Sequence, residues 1–391
     1  VVYPTTAQEL ATVIAEAHHQ GWQLLPIGNA SKADWGGLRS GIRFILSTAR
    51  LNRLVDHAAG DMTITVEAGM CWTKLQHILQ ETNQWLPVDP RYADQATIGG
   101  IIATGDTGSL RHRYGGIRDL LIGISFVRSD GQLANAGGRV VKNVAGYDLM
   151  KLLTGSYGTL GIITQVTLRV YPLPEVSQTI VLTGIPAAIA QASHTLLGSA
   201  LTPTAVDLLS PGFLAALGLG TGMALLVRFQ GLPPSVNEQS DRLLELANSL
   251  SLSSHVLSQA DDAVLWQQVQ ATTAQDAAST ILCKLGIRPA AAITLLERVD
   301  SLPASQAILH AASGIGYCRV AASTPAAELL AIRSHCQTAG GYLSVLEAPV
   351  TLKQQLDVWG YMGNAFPVMQ QLKQQFDPQS LFNPGCFING L

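Results

Sequence analysis

The sequence predicts an α+β protein in two parts and a tail, at 1–175, 176–370 and 371–391. Three observations lead there. Short β-branched runs alternate with stretches of helical period in both parts. The chain breaks at Tyr171-Pro172-Leu173-Pro174, after which the texture changes. Between them, residues 97–116 read TIGGIIATGDTGSLRHRYGG, with six glycines in twenty residues.

The elements follow in order. Thr6-Ala7-Gln8-Glu9 is a capping box. Leu10, Val13, Ile14 and Ala17 then mark an amphipathic helix that ends at Gly21. Residues 22–27 read as a strand and Gly28-Asn29-Ala30-Ser31 as a tight turn. A strand is expected at 44–47, and a half-buried one at 62–67. Trp72, Leu75 and Leu79 predict a helix. Strands at 120–128 and 132–136 flank Asp130-Gly131, a strong hairpin signal. A short helix at 147–153 and a strand at 161–170 complete the first part.

In the second part, helices are expected at 187–197, 238–250, 261–270 and 325–339. Strands are expected at 178–182, 225–229, 281–285, 316–320 and 342–346. That pattern suits a mostly antiparallel sheet with helices on one side. Gly218-Leu219-Gly220-Thr221-Gly222 lacks a clear strand before it and reads as a loop or helix terminus.

Composition excludes several classes. A net charge of −3 gives no basic footprint for nucleic acid. The longest apolar run, near 215–227, is too interrupted to cross a bilayer. Five scattered cysteines without C-x-x-C argue against a zinc site, an iron–sulfur cluster and a disulfide scaffold, and for a reducing, cytoplasmic setting. No signal-peptide pattern is read, and Val1 in place of an initiator Met leaves room for a segment before it. Charged residues make up only 13%, with a mean hydropathy of +0.24. Either the core is large under an Ala/Gln/Ser surface, or partner subunits cover part of the apolar surface.

Four stretches stand out: the turn at 26–31, the glycine cluster with Val88-Asp89-Pro90 before it, KNVAGYDL at 142–149, and GSYGTLGIIT at 155–164. Glycine gives up the most freedom on folding, so such clusters mark close approach to the main chain. Gly155/Gly158/Gly161 is not a G-x-G-x-x-G fingerprint.

Together these stretches resemble the FAD-binding domain of the vanillyl-alcohol oxidase / p-cresol methylhydroxylase (PCMH) type, over about 1–175. With the tail Phe376-Asp377-Pro378-Gln379-Ser380-Leu381-Phe382-Asn383-Pro384-Gly385, they resemble the E-subunit family of bacterial glycolate oxidase, which occurs with D and F subunits. The resemblance implies a two-subdomain FAD-binding domain of PCMH type, an α+β cap or substrate-type domain, and a tail that returns to the first. It implies that Gly28, Asn29, Ala30 and Ser31 grip the FAD pyrophosphate from one side, and Thr97, Ile98, Gly99 and Gly100 from the other. Thr104, Gly105 and Ser109 would line the ribityl chain and flavin, and Gly158, Gly161 and Ile163 the adenosine end. Relatives that attach FAD use a His in the first turn; residues 28–32 hold neither His nor Cys, so non-covalent FAD is expected.

The His-x-Gly-Asp-Gly-Asn-x-His segment of D-type catalytic relatives is absent. Weaker candidates for handling a small 2-hydroxy acid are Arg111, His112 and His335; the first two also read as a solvated loop or phosphate contact, and His335 as an ordinary helix residue. Three readings stay open: an FAD-binding accessory subunit of a glycolate oxidase complex with D and F partners, a stand-alone dehydrogenase for glycolate or D-lactate, and a flavin-free scaffold. A cytoplasmic location, peripheral to the membrane through partners, is expected.

Overall fold

A computed structural model describes residues 1–138, 147–274 and 279–391. The chain divides into two compact units. The first comprises Val1–Thr107, Gly115–Leu173 and Tyr361–Leu391; the second comprises Gly108–Tyr114 and Pro174–Gly360. Of the KNVAGYDL stretch, 142–146 lies outside the described residues.

In the first unit, α1 (Ala7–Gln20) starts at Thr6, whose side chain accepts from Glu9 N, and stops at Gly21 in the left-handed region. Strands β1 (Leu24–Ile27) and β2 (Phe44–Ser47) pair in parallel. Leu10, Ile14, Leu24, Leu46, Leu381 and Phe382 form one core there. A second core lies beneath a five-stranded antiparallel sheet of β3 (Leu54–Ala58), β4 (Thr63–Glu67), β5 (Leu121–Val127), β6 (Leu133–Gly137) and β7 (Ile162–Arg169), in the order β3-β4-β7-β5-β6. The helices α2 (Trp72–Gln80) and α3 (Ile98–Thr104) contribute Leu75, Leu79, Ile98 and Ile101 to that core. The hairpin forms as its Asp-Gly turn demands, with Gly131 at φ +80°.

Strand β4 departs from the expected half-burial, since all five of its residues are buried. Ile64 and Val66 enter the core, while Thr65 Oγ1 lies 2.9 Å from Thr167 Oγ1 and Glu67 takes the Arg53 guanidinium at 2.7 Å. Thr65 and Glu67 on its second face are thus covered with a partner each.

The second unit holds an eight-stranded antiparallel sheet. Its strands are β8 (Val176–Gly184), β9 (Ala205–Leu209), β10 (Met223–Gly231), β11 (Ser253–Ser258), β12 (Thr280–Gly286), β13 (Gln306–His310), β14 (Ile315–Ala321) and β15 (Tyr342–Glu347). They lie in the order β11-β8-β10-β9-β13-β14-β12-β15. Helices Pro186–Leu197, Pro233–Ser249, Ala292–Asp300 and Ala326–Thr338 pack their apolar stripes on one face. One helix corrects the one-sided expectation. Ala260–Thr273 lies on the opposite face, where Asp262 accepts from Thr179 Oγ1 and Arg228 and Trp266 Nε1 donates to Thr179 Oγ1 at 2.8 Å. Helix Pro233–Ser249 begins earlier than expected because Pro233 and Pro234 suit a first turn that needs no N–H.

Candidate functional site

A cleft of about 770 Å³ lies within the first unit. Its walls are the end of β1 with the turn 28–33, the exposed face of α3, the loop and strand start at 157–163, and the side chains of Arg39, Thr48 and Asn383. Of the sequence-predicted residues, Gly28, Asn29, Ala30, Ser31, Thr97, Gly99, Gly100, Thr104, Gly158, Gly161 and Ile163 line it.

Three do not. Ile98 is fully buried in the core on the inner side of α3. Gly105 is the left-handed C-cap of α3, at φ +59°. Ser109 belongs to Gly108–Tyr114, which is part of the second unit, as are Arg111 and His112.

Two turns meet at the cleft. A Cβ on Gly28 would collide with Thr97 Oγ1, so glycine is required there by protein packing. Thr97 in turn caps α3, accepting from Gly100 N at 3.3 Å. Ile98 N donates to Met70 O at 2.9 Å and Gly99 N to Ala68 O at 2.7 Å. The N–H groups of the 98–100 stretch are thus spent within the protein. That corrects its expected role: it offers close surface, not free donors. At Gly100 a Cβ would meet only Thr97 Oγ1, at 3.1 Å, and otherwise open space.

The first turn is different. Among the described residues, the backbone N–H groups of Asn29, Ala30 and Ser31 have no protein acceptor. Ala30 sits at φ +62°, a conformation that costs a non-glycine residue roughly 1–2 kcal/mol. A left-handed residue among successive unspent N–H groups makes a concavity that suits an anion. Asn29 Nδ2 anchors the turn to Gln95 O at 3.1 Å. Two cations also line the cleft. Lys32 Nζ lies 3.2 Å from Asp106 and donates to Arg91 O at 3.1 Å. Arg39 Nε donates to Asn383 Oδ1 at 2.6 Å, while Asn383 Nδ2 donates to Tyr157 O at 2.7 Å.

These donors, cations and small side chains fit a long, flat cofactor with an anionic centre, as FAD is. The turn 29–31 would take the pyrophosphate, and Gly100 would allow close passage along α3. Sequence reasoning missed Lys32, Arg39, Arg91 and Asp106. For Asn383 the signal was present, in the Phe382-Asn383-Pro384 tail. Among the described residues no group of His, Cys, Asp and Glu could hold a metal, and no helix is long and apolar enough to cross a membrane.

The candidate catalytic residues lie in the second unit. His112 is on α4 (Arg111–Tyr114), which packs on β9. Burial holds its imidazole below the usual range; Asp207 opposes this, and His310 and Arg113 add to it. His335 is half-buried on Ala326–Thr338, whose Leu329, Ile332 and Cys336 pack in the helix-side core. His112 feels the charges of Asp207 and His310, whose side chains lie on the face opposite the helix-side core that carries the His335 helix.

Comparison with known proteins agrees with the cleft. Residues 1–137 match the family model described as FAD binding domain. The chain is 37% identical over 125 residues to glycolate oxidase subunit GlcE of Escherichia coli, covering 32% of this chain and 36% of that protein. It is 36% identical over 180 residues to a probable mitochondrial D-lactate dehydrogenase of Danio rerio, covering 45% of this chain and 35% of that one. The chain thus spans about a third of the length of these curated relatives. A solved alkyldihydroxyacetonephosphate synthase shares the fold at TM-score 0.74 and 17% identity, over 98% of this chain and 75% of that one. The stretch that matches the FAD binding domain thus carries most of the cleft's walls.

Proposed function

We propose that this chain is the FAD-binding subunit of a glycolate oxidase-type complex, in which a small 2-hydroxy acid is oxidised and glycolate becomes glyoxylate. The observation that carries the reading is the turn 29–31, with unspent N–H groups and a left-handed Ala30 at the mouth of an FAD binding domain. Likeness to glycolate oxidase subunit GlcE supports the substrate class and a multi-subunit setting, and the D and F partners follow from the E-subunit resemblance of the sequence. When bound, FAD supplies the hydride acceptor for the acid's Cα–H. The chain's own part is to hold the cofactor non-covalently, since residues 28–32 carry no His or Cys for attachment. The complex would sit in the cytoplasm, at the membrane only through partners.

Likeness to a D-lactate dehydrogenase favours a second reading, a chain that oxidises glycolate or D-lactate unaided. Visible spectra and single-turnover flavin reduction separate the two. Under the first reading the isolated chain is yellow but is reduced by glycolate only once D and F partners are added. Reduction by the isolated chain installs the second reading. A colourless chain that takes up no FAD overturns both.

A further inference from the structure

Asp207 and His310 stand opposite each other across β9 and β13, although 103 residues separate them in sequence. Their neighbours Leu208 and Leu309 belong to the helix-side core, so by alternation both polar side chains take the other face of the sheet. His310 Nδ1 lies 2.7 Å from Asp207 Oδ1. A carboxylate only accepts, so Nδ1 carries the proton, and in the neutral ring Nε2 is a bare acceptor. The two side chains are 4% and 0% exposed. Among the described residues, His310 Nε2 and Asp207 Oδ2 are both buried without a hydrogen-bond partner.

Buried polar atoms are seldom left so, and an orphan marks a missing water, ion or ligand. The arrangement has a chemical direction. A carboxylate fixes the far nitrogen of the ring and orients the near one toward an O–H donor, the relation that defines a positioned base. The short α4 brings a second imidazole, His112, into the same field. Cations share the face. Lys284 lies between the helix-side core residues Cys283 and Leu285, and Tyr342 precedes core residue Leu343, so both face as His310 does. Burial pushes the Tyr342 phenol up, and Lys284 and Arg111 pull it back. Two strand spacings, about 10 Å, separate β13 from β12, a gap that a lysine side chain can largely span.

We propose that this face of the second unit binds a small hydroxy acid, with its hydroxyl donating to His310 Nε2 and its carboxylate held by Lys284 and Arg111. The ligand class rests on the function proposed above; the site rests on the two orphan atoms.

Histidine ¹⁵N resonances of the FAD-loaded chain test it directly. Sodium glycolate and sodium D-lactate are titrated at constant ionic strength, with acetate as the analogue lacking the hydroxyl. His310→Gln assigns the signal. The expected result is a saturable shift of His310 Nε2 with glycolate or D-lactate, at least tenfold weaker with acetate. Asp207→Asn should weaken it at least tenfold without loss of FAD. His112→Asn, on the short α4, should weaken it several-fold and serves if the buried variants fail to fold. An unmoved Nε2 in a chain that holds FAD assigns the position to an internal water and overturns the proposal. Equal shifts with acetate overturn the hydroxyl contact. The functional reading fails separately, by flavin that no 2-hydroxy acid reduces with partners present, whatever His310 does.

Discussion

Lys32 Nζ stands 3.2 Å from Asp106 Oδ2, with both side chains buried. Arg91 completes the group, its guanidinium 3.0 Å from Asp106 Oδ1 and its backbone N–H 2.8 Å from Oδ2. One carboxylate thereby ties the turn 28–33 to the loop before α3 and to the chain just after it. That turn is held by its neighbours as much as by its own sequence.

Asp106→Asn would remove the carboxylate that Lys32 and Arg91 share, a loss on the order of 3–5 kcal/mol. The variant should melt well below the wild type and retain less FAD, read by scanning fluorimetry and by the flavin-to-protein absorbance ratio. Unchanged melting and unchanged flavin content would show the triad to be dispensable.

The same carboxylate sets an acid limb. Burial pushes Asp106 up, but Lys32, Arg91 and the Arg91 N–H outweigh it, and its pKa lies below the usual aspartate range. A depressed carboxylate contributes stability that is full above its unfolded pKa, about 3.9, and is lost as pH falls through the folded value. Wild-type melting should therefore drop progressively below about pH 4. In Asp106→Asn that drop should be shallower. Parallel acid limbs in the two proteins would refute the assignment.

Gly28 and Gly100 should separate by experiment. Gly28→Ala drives a methyl into Thr97 Oγ1 and displaces the cap of α3, a cost of about 1 kcal/mol or more that lowers both stability and FAD retention. Gly100→Leu replaces a poor helix former, worth about 1 kcal/mol in favour of the variant, but fills the cleft. The apo-protein should keep its melting temperature while FAD binding, followed by flavin fluorescence, falls at least tenfold. Full FAD content in Gly100→Leu would place the cofactor elsewhere.

At Ala30, the left-handed backbone rather than the methyl is what the turn needs. Ala30→Gly should bind FAD as well as the wild type. Ala30→Val should bind several-fold more weakly, because a β-branched residue resists φ +62°. Equal dissociation constants for the two variants would remove the backbone argument.

Lys373 is buried, and its ammonium donates to Asp377 Oδ2 (2.7 Å), Thr159 O (2.9 Å) and Phe382 O (3.1 Å). It fastens the C-terminal stretch to the loop that borders the cleft. Lys373→Met leaves Asp377 buried without its cation, held only by the N–H groups of Leu381 and Phe382, so unfolding in urea should move to lower concentration by the equivalent of about 3–5 kcal/mol. A midpoint within error of wild type would make the contact incidental.

Local chemistry alone accounts for several elements. The Thr6 N-cap, the Asp130-Gly131 hairpin and the 3.6-residue stripe of α1 each need only neighbouring residues, and each forms, although the Glu9 half of the expected capping box closes on Thr5 N at 2.7 Å instead of on Thr6 N. The turn at 28–31 also follows β1, where its small residues place it. Tertiary structure decided the rest. Helix Ala260–Thr273 found the second face of its sheet through Asp262, a pairing with Thr179 and Arg228 that no local pattern encodes. Residues 108–114 follow the cleft-lining α3 in sequence but pack with the second unit, since α4 finds its partner in β9. Asp207 and His310 carry no motif at all: one sits at the centre of an apolar strand, the other at the end of one. Only the register of β9 against β13 places them side by side, and burial then gives an ordinary hydrogen bond the geometry of a site.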